Sequence, residues 1–529
     1  MDHVQPPDAF SEPQERFRRL WRQVRDLEGA RQLLEWDQET YMPPGGAAAR
    51  GRVLGTLAGL EHERLSDPAL AAVVEAIAAD AAPDEGGAEW EAQAREARRR
   101  IRRATAVPRR LAEELAEAAS AGLAAWQEAR RQKDFAPFAA PLSRLLALKR
   151  EQAACLASGG PEGAGGAPYD ALLDEHEPGA TVADLVPLFA ALRSRLVPLV
   201  RAVVESGRVV DEAPLAGRFP MEAQRGLATF VAAEIGFDWT AGRLDRSTHP
   251  FCTGVARRDV RLTWRGQEGD LRQALMGVLH EMGHGLYDQG LPAEWEGTPL
   301  GEPASTGVHE SQSRLWEILV GRGKPFWRWL LPHVRHAFPG HAPELDAVWR
   351  ALHAIKPTLI RVEADEATYN LHVLVRFELE RALFGGDVQV ADLPAAWDDL
   401  YAEVLGLRAP DVVKGVLQDL HWAAGLFGYF PTYTLGTLAA VQLFDAAQSD
   451  LGNPGQLGDL DDQLARGEFA PLLSWLRERV HRHGARYPPR ELLTRAAGAP
   501  PSAEPFLVYL EGIAEAVYGV APAAAASSR

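Results

Sequence analysis

Along most of the chain, apolar residues return every three or four positions, the spacing of one face of an α-helix. The stretch VADLVPLFAALRSRLVPLVRAVVESG, residues 182–207, sets Leu185, Leu188, Leu192 and Leu196 on one stripe and predicts a long amphipathic helix. Around position 280, Leu271, Leu275, Val278, Leu279, Met282 and Leu286 predict a second helix that turns the same face inward. The Gly- and Pro-rich stretches at 81–89, 157–168 and 290–307 read as loops between helices. Period-two alternation is scarce. Its best case is DVRLTWR, Asp259 to Arg265, with Val260, Leu262 and Trp264 on one side. The expected fold is therefore mainly α, with a small β-sheet beside the helix that spans position 280. No repeat of fixed period and no long polar linker divides the chain. We expect one large helical domain over residues 13–519, two-lobed around a deep cleft, with an N-terminal helical lobe of about 13–206 and a second lobe of about 207–519. The ends, 1–12 and 520–529, are expected to be disordered.

The second helix carries VLHEMGHGLYDQGL, residues 278–291. Residues four apart on a helix project about 40° apart, so His280 and His284 can aim ring nitrogens at one ion. Glu281, turned about 100° from His280, faces the same cavity. Gly283 and Gly285 would let another segment approach closely, at some cost in helix propensity. A chance H-E-x-x-H is expected roughly 0.04 times in a chain with so few histidines, yet a purely structural helix with two satisfied histidines is the competing reading. A catalytic metal needs a third protein ligand and an open position for water. Downstream, GEPASTGVHESQSRLWE offers Glu302, His309, Glu310 and Glu317, on a helix that Ser305 or Thr306 could cap. Spacing does not choose among them.

Composition narrows the partners. The net charge of -17 and the absence of any dense basic block beyond EARRRIRR, residues 96–103, argue against nucleic acid. Two distant cysteines, Cys155 and Cys252, offer neither a disulfide framework nor a Cys-based zinc site and suit a reducing cytoplasm. The N-terminus lacks a basic start followed by an apolar run, and no 18-residue apolar stretch occurs, so neither export nor a membrane span is expected.

HEMGHGLYDQGL followed by HESQSRLWE resembles the carboxypeptidase Taq family of zinc metallocarboxypeptidases, also called thermostable carboxypeptidase 1. Four further family signatures stand in order: LLEWDQETYMPPGG (33–46), DRSTHPF (245–251), IRVEAD (360–365) and GVLQDLHW (415–422). The resemblance thus spans nearly the whole chain. One departure is Ile318, where the family pattern has Asn.

The resemblance implies that Glu310 completes a metal site with His280 and His284. The ion is expected to be Zn2+, with Co2+ or Mn2+ as possible substitutes. Glu281 is then the general base, and without it the site would merely store metal. A C-terminal exopeptidase must hold a free carboxylate, which an arginine fork does best; the resemblance gives that role to Arg361, against a purely structural pairing with Glu363 or Asp365. His249 is similar to a family residue lining the same subsite, while Asp245 and Arg246 order its loop. For the carbonyl oxygen, His421 and Tyr429 are the expected catalytic donors, with Tyr433 as a substrate-binding neighbour. Gln418 and Asp419 are expected to orient the histidines. Trp36, Asp37, Met42 and Pro43 suggest a helix end folded over something apolar, and by resemblance this region roofs the cleft. Expected partners are peptides with a free C-terminus and a second copy in a homodimer. The alternatives are a metallo-oligopeptidase of the same fold and a non-catalytic peptide- or metal-binding protein.

Overall fold

The three-and-four spacing is realised as helix throughout the computed structural model, which describes residues 11–81, 85–158, 167–452 and 459–521. The stretch read at 182–207 forms the helix Val182–Glu205, started by Thr181, whose hydroxyl accepts from the Asp184 backbone N–H. Leu185, Leu192 and Leu196 are buried as expected, joined by Phe189 and Leu199, while Leu188 stays half-buried. The break expected at 81–89 is shorter than read, because the helix Glu85–Ala106 begins within it. Glutamate and alanine favour helix strongly enough there to carry Gly86 and Gly87. The disorder expected at the termini concerns residues mostly outside those described, although Glu12 already opens a helix.

Two large apolar clusters, with a small third one of Ala228, Trp264, Ala274 and Val278, organise the described residues. The smaller of the two joins Phe17, Trp21, Val73, Val74 and Ile77 of the N-terminal helices to Trp295 and Leu300. The larger runs from Leu111 to Tyr518 and contains the helix Arg272–Gly290, the one that carries HEMGH. Leu271, Leu275, Val278, Leu279, Met282 and Leu286 are all buried, each at 2 % exposure or less. Burying such side chains contributes about 2 kcal/mol apiece and settles which face of the helix turns inward.

The sheet has three strands, β1 (Gly242–Arg246), β2 (Cys252–Ala256) and β3 (Asp259–Trp264), in the order β1-β3-β2. β1 pairs parallel to β3, with Gly242 opposite Val260 and Arg246 opposite Trp264; β2 pairs antiparallel to β3. Val260, Leu262 and Trp264 are buried, as the alternation predicts, and the sheet packs against the helix Arg272–Gly290.

The end of the first helix, Glu12–Thr40, folds over this sheet, but not over an apolar surface. Trp36 is buried beneath the guanidinium groups of Arg243 and Arg261, 4.8 and 4.3 Å from its ring. Tyr41 donates to Asp245 Oδ1 at 2.5 Å, and Arg50 pairs with Asp37. Cation–π stacking and hydrogen bonds replace the expected greasy contact because the exposed face of the sheet is charged.

Candidate active site

Two glycines let the helix Arg272–Gly290 sit between the sheet and a second helix, Thr306–Arg314. A Cβ at Gly285 would lie 2.7 Å from Phe237 and 3.0 Å from Leu262, on the sheet side. One at Gly283 would lie 2.6 Å from both Gln312 O and Ser313 Cα of the second helix. Ser305 caps that helix, its hydroxyl accepting from Val308 N at 2.9 Å, and Gly436 of the helix Pro431–Leu451 makes room for the Glu310 side chain.

This close approach brings Glu310 Oε2 to 3.6 Å from His280 Nε2 and 3.4 Å from His284 Nε2. Ligand atoms about 2.1 Å from a tetrahedral ion stand about 3.4 Å from one another, so the trio fits one divalent ion. His280, Glu281 and His284 likewise offer ligand atoms within 4.8 Å of one another, which makes Glu281 a geometric rival for the third position. Electrostatics favours Glu310. Burial would raise its pKa, but Arg314, His280 and His284 hold it far below the usual carboxylate range, so it is a permanent anion. Burial pushes Glu281 up to about 7, with His280 opposing and Glu310 and Glu317 reinforcing, which poises it to exchange a proton.

The other three candidate ligands lie elsewhere. Glu302 pairs with Arg25 and Arg100, both at 3.0 Å, beneath the N-terminal helices. His309 stacks on His284 with ring centroids 4.4 Å apart and turns its Nε2 to Asp288 Oδ1 at 3.0 Å. Glu317 faces His280 Nδ1 at 2.9 Å, the ring nitrogen pointing away from the ion position, and thereby orients the imidazole. It does so from a π-helical segment, Leu315–Val320, whose wider turn re-aims it; the departing residue Ile318 is buried in that turn and lines the cleft. Arg314 ties this shell together, donating through Nε to Glu310 at 2.7 Å and through Nη1 to Glu317 at 3.3 Å. Burial lowers the pKa of His280, but Glu310, Glu317 and Glu281 outweigh it and take the ring up to about 9; the nest of carboxylates calls for a cation. Burial and His309 take His284 down to about 4, leaving a neutral ring able to ligate.

The same cleft, 690 Å3 in volume, is lined by Arg361, His249, His421 and Tyr433. The apolar spacing of KPTLIRVEADEATYNLHVLVRFELE, residues 356–380, reads as one helix carrying Arg361, but Arg361 does not sit on a helix of that length. It occupies a 3-10 turn, Arg361–Glu363, ahead of the helix Glu366–Gly385, because Asp365 caps that helix through the N–H groups of Ala367 and Thr368. Its partner is neither Glu363 nor Asp365 but Asp419, reached through Nε and Nη2 at 3.1 and 2.8 Å; Nη1 donates to Tyr369 at 3.0 Å. The other Asp419 oxygen takes Arg376, fully buried, at 2.8 and 2.6 Å. Two arginines on one aspartate leave a net positive charge, and Nη1 and Nη2 of Arg361 each keep a second N–H for an incoming carboxylate. Asp419 and Gln418 thus orient Arg361 and not a histidine: Gln418 accepts from the Arg361 backbone N–H at 2.9 Å.

His249 is exposed at the cleft wall, its carbonyl fixed by the Ser247 hydroxyl at 2.6 Å; Asp245 is buried under Tyr41 and Arg243. His421 turns its Nε2 to the Tyr433 hydroxyl at 3.2 Å, and burial, with Arg361 and Arg376 outweighing Asp419, takes it down to about 3, so the ring is neutral. Tyr429 packs against both, its ring 5.6 Å from His421, 5.3 Å from Tyr433 and 5.0 Å from His176. Arg314, Tyr369 and Arg376 carry no local motif that announces them. Only the orphaned charge of Arg376 within the apolar run VLVRFELE could have drawn attention to it. A neighbouring cavity of 740 Å3 is larger, but it touches the metal helix only through Asp288 and is lined by Glu302 and His309, not by His280, Glu281 or Glu310, so the chemistry belongs to the smaller cleft.

Known proteins resemble the chain over nearly its whole length. The family model described as carboxypeptidase Taq (M32) metallopeptidase matches residues 16–513. The thermostable carboxypeptidase 1 of Thermus thermophilus is 45 % identical over 493 residues, covering 92 % of this chain and 95 % of its own. That of Pyrococcus furiosus is 36 % identical over 517 residues, covering 97 % and 99 %. A crystal structure of an M32 carboxypeptidase from Deinococcus radiodurans R1 superposes with a TM-score of 0.90 at 38 % identity, covering 96 % of this chain and 100 % of that one. With a helical fold, a divalent-metal nest and this likeness over nearly its whole length, the chain belongs to the carboxypeptidase Taq (M32) metallopeptidase family and is a metallocarboxypeptidase.

Proposed function

We propose that the chain removes C-terminal residues from peptides with broad side-chain tolerance, using zinc held by His280, His284 and Glu310. The observation that carries this reading is the shared cleft: His280, Glu310, a base-ready Glu281 and Arg361 line one cavity, with His284 against Glu310 and Arg376 behind Asp419. A divalent ion held by His280, His284 and Glu310 would supply a water acidified toward neutral pH and a Lewis acid for the scissile carbonyl. Arg361 binds the terminal carboxylate, supported from behind by Asp419, and so places the last peptide bond beside Glu281. Glu281 accepts a proton from the attacking water at its carboxylate oxygen and passes it to the departing amine nitrogen. His421 and Tyr429, with Tyr433 beside both, donate toward the developing oxyanion; burial keeps the Tyr429 hydroxyl up at about 12 and therefore protonated. His249 borders the terminal subsite. The two free cysteines suit a reducing cytoplasm, and the resemblance supports a homodimer; among the described residues no helix is long and apolar enough to cross a membrane.

The test compares amino-acid release from a blocked dipeptide with a free C-terminus and from its amidated twin, before and after chelation, with zinc or cobalt restored. Release from the free acid alone, dependent on metal and abolished in Glu281→Gln, is the expected outcome. Cleavage of the amide would make the enzyme an oligopeptidase instead. Activity persisting in Glu281→Gln would remove the proposed base.

A further inference from the structure

The segment between the helices Leu393–Leu405 and Pro431–Leu451 carries Asp419, His421 and Tyr429, yet it is built of turns alone. Without a helix or sheet ladder, side-chain anchors must fix its path. One anchor is a carboxylate with no part in the metal shell. Glu380, on the helix Glu366–Gly385, is completely buried. Its Oε1 accepts from Trp422 Nε1 at 2.7 Å, and its Oε2 accepts from Gly428 N at 2.8 Å and from the Tyr169 hydroxyl at 2.6 Å. Trp422 directly follows His421, and Gly428 directly precedes Tyr429. The two bonds therefore pin both ends of the stretch between the proposed donors, each bond on the residue next to one of them. Little slack remains around them: Gly428 has φ +79°, and a Cβ there would lie 2.7 Å from the Leu172 backbone of the helix Pro168–His176. That helix also supplies Tyr169 and the His176 ring packed on Tyr429.

We propose that Glu380 is a positioning residue for the reaction: through Trp422 and Gly428 it sets where His421 and Tyr429 stand relative to the metal cleft. The inference rests on the assignment of His421 and Tyr429 given above. A carboxylate is required because all three partners are donors. Glutamine offers one acceptor oxygen and an amino group, so either orientation sets N–H against N–H on one side of the loop. The loop must then shift, and catalytic donors tolerate displacements of only a fraction of an ångström. Tyr169 lies outside the loop, so its loss leaves both loop bonds in place.

The experiment measures kcat, KM, metal content and Tm for Glu380→Gln, Tyr169→Phe and His421→Asn on the blocked dipeptide acid. Glu380→Gln should lower kcat about tenfold or more with KM within about twofold and stoichiometric metal, the signature of an interaction lost in the transition state. Tyr169→Phe should lower Tm similarly and leave kcat within about twofold. Wild-type kcat in Glu380→Gln, or an equal fall in Tyr169→Phe, would overturn the proposal. A reduced kcat in His421→Asn beside a normal Glu380→Gln defeats the anchor and leaves the site reading standing; a normal His421→Asn defeats the site reading itself. Should Glu380→Gln not fold, Trp422→Phe keeps the ring packing, deletes one of the two bonds, and must lower kcat in the same way.

Discussion

Replacing Gly283 by alanine should weaken metal binding without touching a ligand. The added Cβ would stand 2.6 Å from Gln312 O and from Ser313 Cα, both backbone atoms of the helix Thr306–Arg314. Such contacts normally lie at about 3.5–4.0 Å, so the two helices must separate by about 1 Å. Glu310 rides on the same helix, less than one turn away, while metal–ligand distances tolerate only about 0.2 Å. Overpacking of this kind costs about 1–3 kcal/mol, of which the better helix propensity of alanine returns about 1 kcal/mol, so the protein should still fold. Misplacing Glu310 should lower metal affinity about 10- to 100-fold, the range seen when an outer-shell partner is lost. Gly285→Ala is the matched control. Its Cβ would meet the side-chain tips of Phe237, Leu262 and Val260 on the sheet side, at 2.7, 3.0 and 3.2 Å. It should lower Tm comparably while keeping metal affinity within about threefold of wild type. Chelator competition gives the metal Kd, thermal denaturation of metal-free protein gives the packing cost, and Glu310→Ala marks the loss of a whole ligand. A wild-type Kd in Gly283→Ala, or equal weakening in Gly285→Ala, would refute the reasoning.

Arg361→Ala removes a charge-assisted clamp worth about 2–4 kcal/mol and should cut kcat/KM about 30- to 1,000-fold with metal content intact; steady-state kinetics that match wild type would take Arg361 out of the site. Burial raises the Glu177 carboxyl from the ordinary 4.5 to about 7, against hydrogen bonds from Ser305 and Gly307 at the start of the Glu310 helix. A raised folded-state pKa contributes stability that is complete below about pH 4.5 and gone above about pH 7, so Glu177→Gln should gain on wild type by up to about 3 kcal/mol between pH 5 and pH 8. Denaturation curves at both pH values test this, and a pH-independent difference would show that Glu177 ionises normally.

Much of the site is a property of short stretches. The four-residue spacing of His280 and His284, the apolar stripe from Leu271 to Leu286, the Ser305 cap and the alternation at Val260, Leu262 and Trp264 follow from backbone geometry that any 20-residue window expresses. Gly283 and Gly285 likewise announced a close approach, though not by what. Where the reading went astray, capping and partner choice were responsible: Asp365 starts a helix that leaves Arg361 on a turn, and Trp36 finds two arginines where an apolar surface was expected.

The choice among Glu302, His309, Glu310 and Glu317 lay beyond local pattern. All four fall within sixteen residues, and the distance of each from His280 depends on how closely two helices pack and on a π turn that swings Glu317 behind the ring. The pairing of Arg361 and Arg376 on Asp419 joins residues 58 and 43 positions apart in sequence. A motif states which groups are present and which helix face they share; only the packed core, where about 1 Å decides whether a carboxylate is a ligand, an orienting group or a distant ion pair, assigns them their places.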